Sequence, residues 1–261
     1  MEKSTQSPGI GVVSRYLLRK LGHFYEVTPE IERSIVEATV DTVEFTVGHT
    51  IIRGGDRYSF IYLMEEGWVL REKILPGGQR QIINIALPGE FLCFNAALFQ
   101  NSEFDLVART PVRAFKLSAT AFSDMLKDRP YLALALAWAN AHEETLLAER
   151  VVSLGRRSAR ERLAHILCEM SARLKVIGLG DGDRLAMPLI QEDFADILGL
   201  SVIHVHRMVR RLVADQVIAY QPGEVRVLDM GRLERIAGFD DGYLHFTLRP
   251  DFVRRVEREA E

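Results

Sequence analysis

The chain has 261 residues, 48% of them hydrophobic and 26% charged, with a formal net charge of −3. No apolar run approaches a membrane span, and the opening MEKSTQSPGIGVV lacks the apolar core of a secretory signal. These features exclude a membrane-spanning or secreted reading and predict a soluble cytoplasmic protein with a real core, long enough for two domains. The cysteines, Cys93 and Cys168, are far apart and read as two buried thiols. A small acid excess does not exclude nucleic acid, because binding depends on where base is concentrated.

Residues 13–38 read as helical, with Leu17, Leu18 and Leu21 on one side. From about 43 to 117 the texture changes to short runs rich in Val, Ile, Phe and Tyr: TIIR from Thr50, SFIYLM from Ser59, WVLREKIL from Trp68, QIINIAL from Gln81 and VRAFKL from Val112. Gly48, Gly54, Gly55, Gly67, Gly77, Gly78 and Gly89 punctuate them, which predicts a β-sandwich or jelly roll.

Pro130 then opens a long helix that runs to Gly155. LALALAWA within it has period two, but its alanine content, the proline at its head and the Glu-rich continuation favour helix. One small β domain cannot cover so long a helix, so one side is expected to meet a partner, the alternative being that the whole helix packs within its own domain. Leu134, Trp138, Ala141, Thr145, Ala148 and Val152 form one seam near heptad spacing, and Leu132, Leu136, Ala139 and Leu147 form a competing one. The sequence leaves the choice open.

Ser158-x-x-Glu161 is a capping box that starts the next helix, whose apolar stripe is Ala159, Leu163, Ile166, Leu167, Met170 and Leu174. Arg156, Arg157, Arg160 and Arg162 make a local basic cluster there. Beyond a loop marked by Gly178, Gly180 and Gly182, residues 189–212 read LIQEDFADILGLSVIHVHRMVRRL. This is the pattern of a helix-turn-helix. Gly199 suits a turn needing positive φ, Ala195 suits the close crossing of two helices, and Phe194, Leu198, Leu200, Val205 and Met208 take the inward positions. Ser201 is a sound N-cap for the second helix. The outward set is Ser201, Val202, Ile203, His206, Arg207, Arg210 and Arg211, with no acid between Ser201 and Val213. His204 and His206 point to different sides and make a poor metal pair. The runs VIAY from Val217 and EVRVL from Glu224, turning at Pro222 and Gly223, make a wing; Leu233 and Ile236 indicate one more helix, and DFVRRVEREAE at the end reads as an extra short helix.

This order of parts resembles the Crp/Fnr family of bacterial transcription regulators over about residues 17–236, most specifically in GLSVIHVHRMVRRL, with PGEF at Pro88 and GRRSARERLAHIL as further marks. The resemblance implies an α+β fold. Its expected parts are an N-terminal helix and cyclic-nucleotide-binding-like jelly roll over 1–129, a long dimerisation helix over 130–155, a winged helix-turn-helix over 156–238 and an extension over 239–261. It implies a homodimer joined along the long helix, double-stranded DNA with two-fold symmetric sites as partner, RNA polymerase as a further partner, and no enzyme activity. On that reading Gln191, Ser201, Val202, Ile203, His206, Arg207, Arg210 and Arg211 are the DNA-binding candidates.

Departures from the family pattern narrow the expectation. Cyclic-nucleotide binders carry a Gly-Glu pair and an Arg-Ser pair where this chain has Cys93-Phe94 and Phe104-Asp105, and an Asp would repel a phosphate, so cyclic AMP is not expected. Two distant cysteines cannot supply the four thiolates of an iron–sulfur centre. A haem on His142 is weighed against an ordinary surface or core histidine, and no cofactor or metal is expected. Many members read a base with a glutamate where Ile203 stands; here Val202 and Ile203 could touch thymine methyls and Arg207 could pair with guanine. Glu90, Asn95, Asp105 and Arg109 are the polar candidates for an effector pocket, with oxidation of Cys93, or no effector at all, as alternatives. The competing function is a ligand-sensing module whose winged helix binds protein. A cupin-type enzyme lacks its His and Glu ligands, since the β region offers only His49 after His23.

Overall fold

The computed structural model describes residues 3–5, 15–22, 29–128, 130–180 and 183–244. The helical reading of 13–38 resolves into α1 (Arg15–Gly22) and α2 (Pro29–Ala38). Among the described residues nine strands form here: β1 (Lys3–Thr5), β2 (Thr39–Phe45), β3 (Thr50–Ile52), β4 (Phe60–Glu66), β5 (Val69–Ile74), β6 (Arg80–Ala86), β7 (Phe91–Leu92), β8 (Asp105–Ala108) and β9 (Val112–Ser118), of which β3, β4, β5, β6 and β9 are the five expected runs. All pairings are antiparallel, in one sheet of order β1-β2-β9-β4-β7 and another of order β3-β8-β5-β6.

Val43, Phe45, Met64 and Ala114 of the first sheet meet Val69, Ala86, Leu106 and Ala108 of the second in a shared core. The first sheet is buried on its other face too, where Ile61, Leu63, Phe115 and Leu117 pack on Leu17 of α1, Ile35 of α2 and Phe122 of α3 (Ala119–Asp128). That double burial explains why SFIYLM is a continuous apolar run rather than an alternating one. Gly89, at φ +84, sits where α1 crosses: a Cβ there would fall 2.7 Å from Leu17 N. The positive φ and the close approach together require glycine in the PGEF turn.

The long helix α4 spans Pro130–Arg156. Of its two sequence seams, the second faces its own chain, with Leu136 buried and Ala139 and Leu147 half-buried, while the side chain of Leu132 lies outside the described residues. On the first seam Leu134, Ala141, Ala148 and Val152 are exposed and Trp138 and Thr145 half-buried. The capping box of α5 (Ala159–Val176) is formed: Ser158 N donates to Glu161 Oε2 at 2.7 Å and Glu161 N to Ser158 Oγ at 3.4 Å.

Beyond α5 come β10 (Arg184–Ala186), α6 (Gln191–Leu198), α7 (Val202–Ala214), β11 (Ile218–Gln221), β12 (Glu224–Val227) and α8 (Met230–Ala237). The wing is a three-stranded sheet of order β10-β12-β11; the sequence reading found two of its strands. The short helix expected at the C-terminus lies outside the described residues. Before it, a single turn over Asp241–Leu244 returns to α4 and α5: Thr145 Oγ1 donates to Tyr243 O at 3.3 Å, and the Tyr243 ring stacks on His165 with centroids 6.0 Å apart.

Two buried histidines set an expectation for pH. Burial, aided by Arg157, lowers His165 to about 4 although a Glu149 oxygen stands 3.3 Å away. Burial, aided by Lys20 and Arg173, lowers His142 to about 4. Glu90 does not share this range: burial alone would raise it, but Lys20 and Arg173 overcome that and hold it at about 2. A histidine with a folded value below its unfolded one stabilises the fold at pH above about 6.5, and that contribution is lost as pH falls toward 4. We expect a loss of roughly 1–2 kcal/mol per histidine between pH 7.5 and 5, read as a falling thermal midpoint. The double variant His142→Gln, His165→Gln should show a clearly flatter profile over that range; an equally steep one would assign the dependence elsewhere.

Candidate nucleic-acid interface and cavity

The turn between α6 and α7 has the geometry its sequence requires. Gly199 lies at φ 60, ψ 43, in the left-handed region, and Leu200 N donates to Ala195 O at 3.0 Å. Phe194, Ala195, Leu198, Val205 and Met208 are buried and Leu200 is half-buried. Ser201 caps α7, its Oγ accepting from His204 N at 3.3 Å.

With its inner side fixed in this way, α7 presents Val202, Ile203, His206, Arg207, Arg210 and Arg211 to solvent, with Ile203 82% exposed. Ser201 is exposed as well, and so is His204. Gln191, at the start of α6, borders a shallow groove with His206, Arg210 and Tyr220. Tyr220 was not singled out in the sequence; burial raises its pKa while its bond with Gln191 lowers it. All eight DNA-binding candidates therefore fall on or beside one surface with three arginines and no acid on α7.

The earlier basic cluster has a different role. Arg157 Nη2 donates to Glu149 Oε1 at 2.5 Å, Arg160 Nη2 to Asp215 Oδ2 at 2.6 Å, and Arg162 Nη1 to Leu198 O at 2.9 Å. Arg157 thus ties the segment between α4 and α5 back to α4, Arg160 and Arg162 tie α5 to the C-terminal end of α7 and to the turn of the helix-turn-helix, and of the four only Arg156 projects freely among the described residues.

A cavity of about 400 Å³ lies between the β domain and α4. Tyr58, Phe91, Phe94, Phe104 and Leu136 make much of its wall. Its two lining cations are already paired, Lys20 Nζ with Glu90 Oε1 at 2.9 Å and Arg71 Nη1 with Glu143 Oε2 at 3.1 Å. Of the expected pocket residues only Glu90 is placed there. Asp105 instead accepts from Gly54 N at 2.6 Å, and Arg109 Nε lies 2.6 Å from Asp193 Oδ2 on the opposite side of the sheet system. The side chain of Asn95 lies outside the described residues. Cys93 lines the cavity, but burial pushes its thiol up to about 12, so it stays protonated and a poor target for oxidation. Among the described residues no three His, Cys, Asp or Glu gather as metal ligands, and no helix is long and apolar enough to cross a membrane. His142 is buried in α4 with its ring stacked on Trp138 at 5.5 Å.

Comparison with known proteins matches both halves. The model of the cyclic nucleotide-binding domain family covers residues 42–129 and that of the Crp-like helix-turn-helix domain covers 161–236. The chain is 32% identical to the nitrogen fixation regulation protein FixK of Bradyrhizobium diazoefficiens, over 75% of this chain and 81% of that one. It is 33% identical to the transcriptional activatory protein AadR of Rhodopseudomonas palustris, over 68% and 73%. In fold it is similar to FixK2 from Bradyrhizobium japonicum, with TM-score 0.70 and 21% identity over 76% of this chain and 98% of that one.

Proposed function

Since this chain belongs to the Crp/Fnr family of transcription regulators, we propose that it acts in the cytoplasm as a homodimer that reads two-fold symmetric DNA. Its family membership makes it a DNA-binding transcription regulator rather than an enzyme. In the proposed assembly α7 enters the major groove, with Ser201, Val202, Ile203, His206 and Arg207 toward base edges and Gln191, Arg210 and Arg211 toward the backbone. The exposed apolar seam of α4 joins two copies, and the bound dimer presents itself to RNA polymerase. The proposed division is a β domain over 1–129, the dimer helix over 130–155, a winged helix over 156–238 and an extension over 239–261.

The observation that carries this reading is the exposed, acid-free face of α7 held on a fully apolar base. The 400 Å³ cavity is the proposed effector site. A cyclic nucleotide suits it poorly, because a phosphate would meet no unpaired cation on its described wall. Selection of duplexes from a random pool by the purified chain tests the function. It should enrich a two-fold symmetric site with half-sites about one helical turn apart. A pool that stays random, with and without cell extract, would overturn the reading.

A further inference from the structure

The winged helix rests on the β domain through a buried polar contact that DNA reading as such does not require. Arg80, at the start of β6, reaches across to α6: its Nη2 donates to Asp193 Oδ1 at 2.9 Å and its Nε to Asp196 Oδ2 at 2.6 Å. Its Nη1 donates to Glu72 Oε2 on the neighbouring strand at 3.2 Å, which orients the guanidinium. Arg109 meets the other oxygen of Asp193 at 2.6 Å, and Gln81 Nε2 donates to Asp196 O at 2.6 Å. Asp193 is only 2% exposed, and its Oδ2 also accepts from Ile190 N at 3.0 Å at the N-terminus of α6. Around these groups Trp68, Leu70, Ile82 and Ile85 of the sheet share one core with Phe194, Ile197 and Leu198.

Planar guanidinium–carboxylate pairs fix direction as well as distance. Here they bind the side of α6 away from the reading face, so the contact holds the reader without covering it. We propose that Arg80 and Arg109 are positioning residues for DNA recognition: they latch α6 to the β domain and hold α7 at one angle, so that the two readers of a dimer meet both half-sites together. The latch rests on the proposed dimer. Readers free to pivot would bind one half-site as before, but the second at a lower effective concentration.

The latch and the cavity share a strand, β5. Arg71 lines the cavity and Glu72, the next residue of β5, orients Arg80; the register of β5 against β6 shifts between these two residues. The cavity wall and the latch thus sit on successive residues of β5, and the extra residue at the shift, Ile83, belongs to β6.

The test compares two labelled duplexes, the selected two-fold site and the same site with one half scrambled, in the full-length chain. Arg80→Ala should weaken the two-fold site by about ten-fold or more and the half-site by no more than about two-fold. Asp196→Ala, which removes a half-exposed partner and leaves the Asp193 pairs, should shift the same ratio less. If Arg80→Ala leaves Asp193 too poorly compensated to fold, judged by thermal unfolding, Asp196→Ala decides alone. An unchanged ratio of the two affinities in a folded variant would overturn the latch. So would an equal fall on both duplexes, which is what simple damage to the winged helix would give. A wild-type chain that binds both duplexes equally would overturn the dimer reading instead, and the latch with it.

Discussion

Replacing Arg207 with alanine is expected to weaken binding to the selected duplex by roughly 5- to 150-fold, the range that loss of one good base contact gives. Arg207 is exposed near the middle of α7, and among the described residues it forms no hydrogen bond or ion pair within the chain. Its removal should therefore leave the thermal midpoint within about a degree or two, since surface substitutions away from special contacts cost little. The character of the loss matters more than its size. A base contact makes one position of the half-site tolerant of substitution while the others keep their preference. A phosphate contact, as proposed for Arg211, weakens all duplexes alike and lowers the salt dependence by about one ion. A mobility-shift series over single base-pair changes at two salt concentrations separates these patterns. Unchanged affinity and preference for Arg207→Ala would remove α7 from the proposed role.

The helix-turn-helix was legible because its constraints are local. Gly199 in the left-handed region, Ala195 at the crossing and the apolar residues spaced around them are all specified within one short segment. Glycine punctuation showed the β domain for a similar reason, since turns are local. Strand order was not legible, and neither was DLVA of β8, a four-residue strand with only two buried side chains. The docking of the winged helix on the sheet was hidden as well. Arg80 and Asp193 stand 113 positions apart, and each reads in isolation as a solvated surface charge. The signal that could have shown it was apolar: Trp68, Leu70, Ile82 and Ile85 are more than one inter-sheet core needs. Position in the chain alone puts Asp105 and Arg109 near the pocket, whereas β8 and the turn after it carry them elsewhere. Arg160 and Arg162 show the converse, since base concentrated in sequence is used by the folded chain in internal contacts.

Substitution of Leu134 and Val152 by glutamate is expected to have the larger effect on the assembly. The two side chains are 41% and 47% exposed, and with Ala141 and Ala148 they form the apolar line on the outer side of α4. Val151, beside it, is 69% exposed. The opposite side of the helix is occupied by the chain's own sheet and cavity, so Leu136 is not available to a partner. Glutamates at these two positions stay solvated in a single chain, and the fold should tolerate them. In a helix pair related by a two-fold axis they would place like charges in an apolar seam, where an unpaired carboxylate costs several kcal/mol. We expect the mass in solution, measured by light scattering, to fall to that of one chain at micromolar concentration. Affinity for the two-fold duplex should drop by about 10²–10⁴, the advantage that linked binding confers, while the half-site duplex is bound as before. A double variant that still runs as a dimer would remove this face of α4 from the interface. One that becomes a single chain yet keeps full affinity for the two-fold duplex would show that recognition does not depend on pairing.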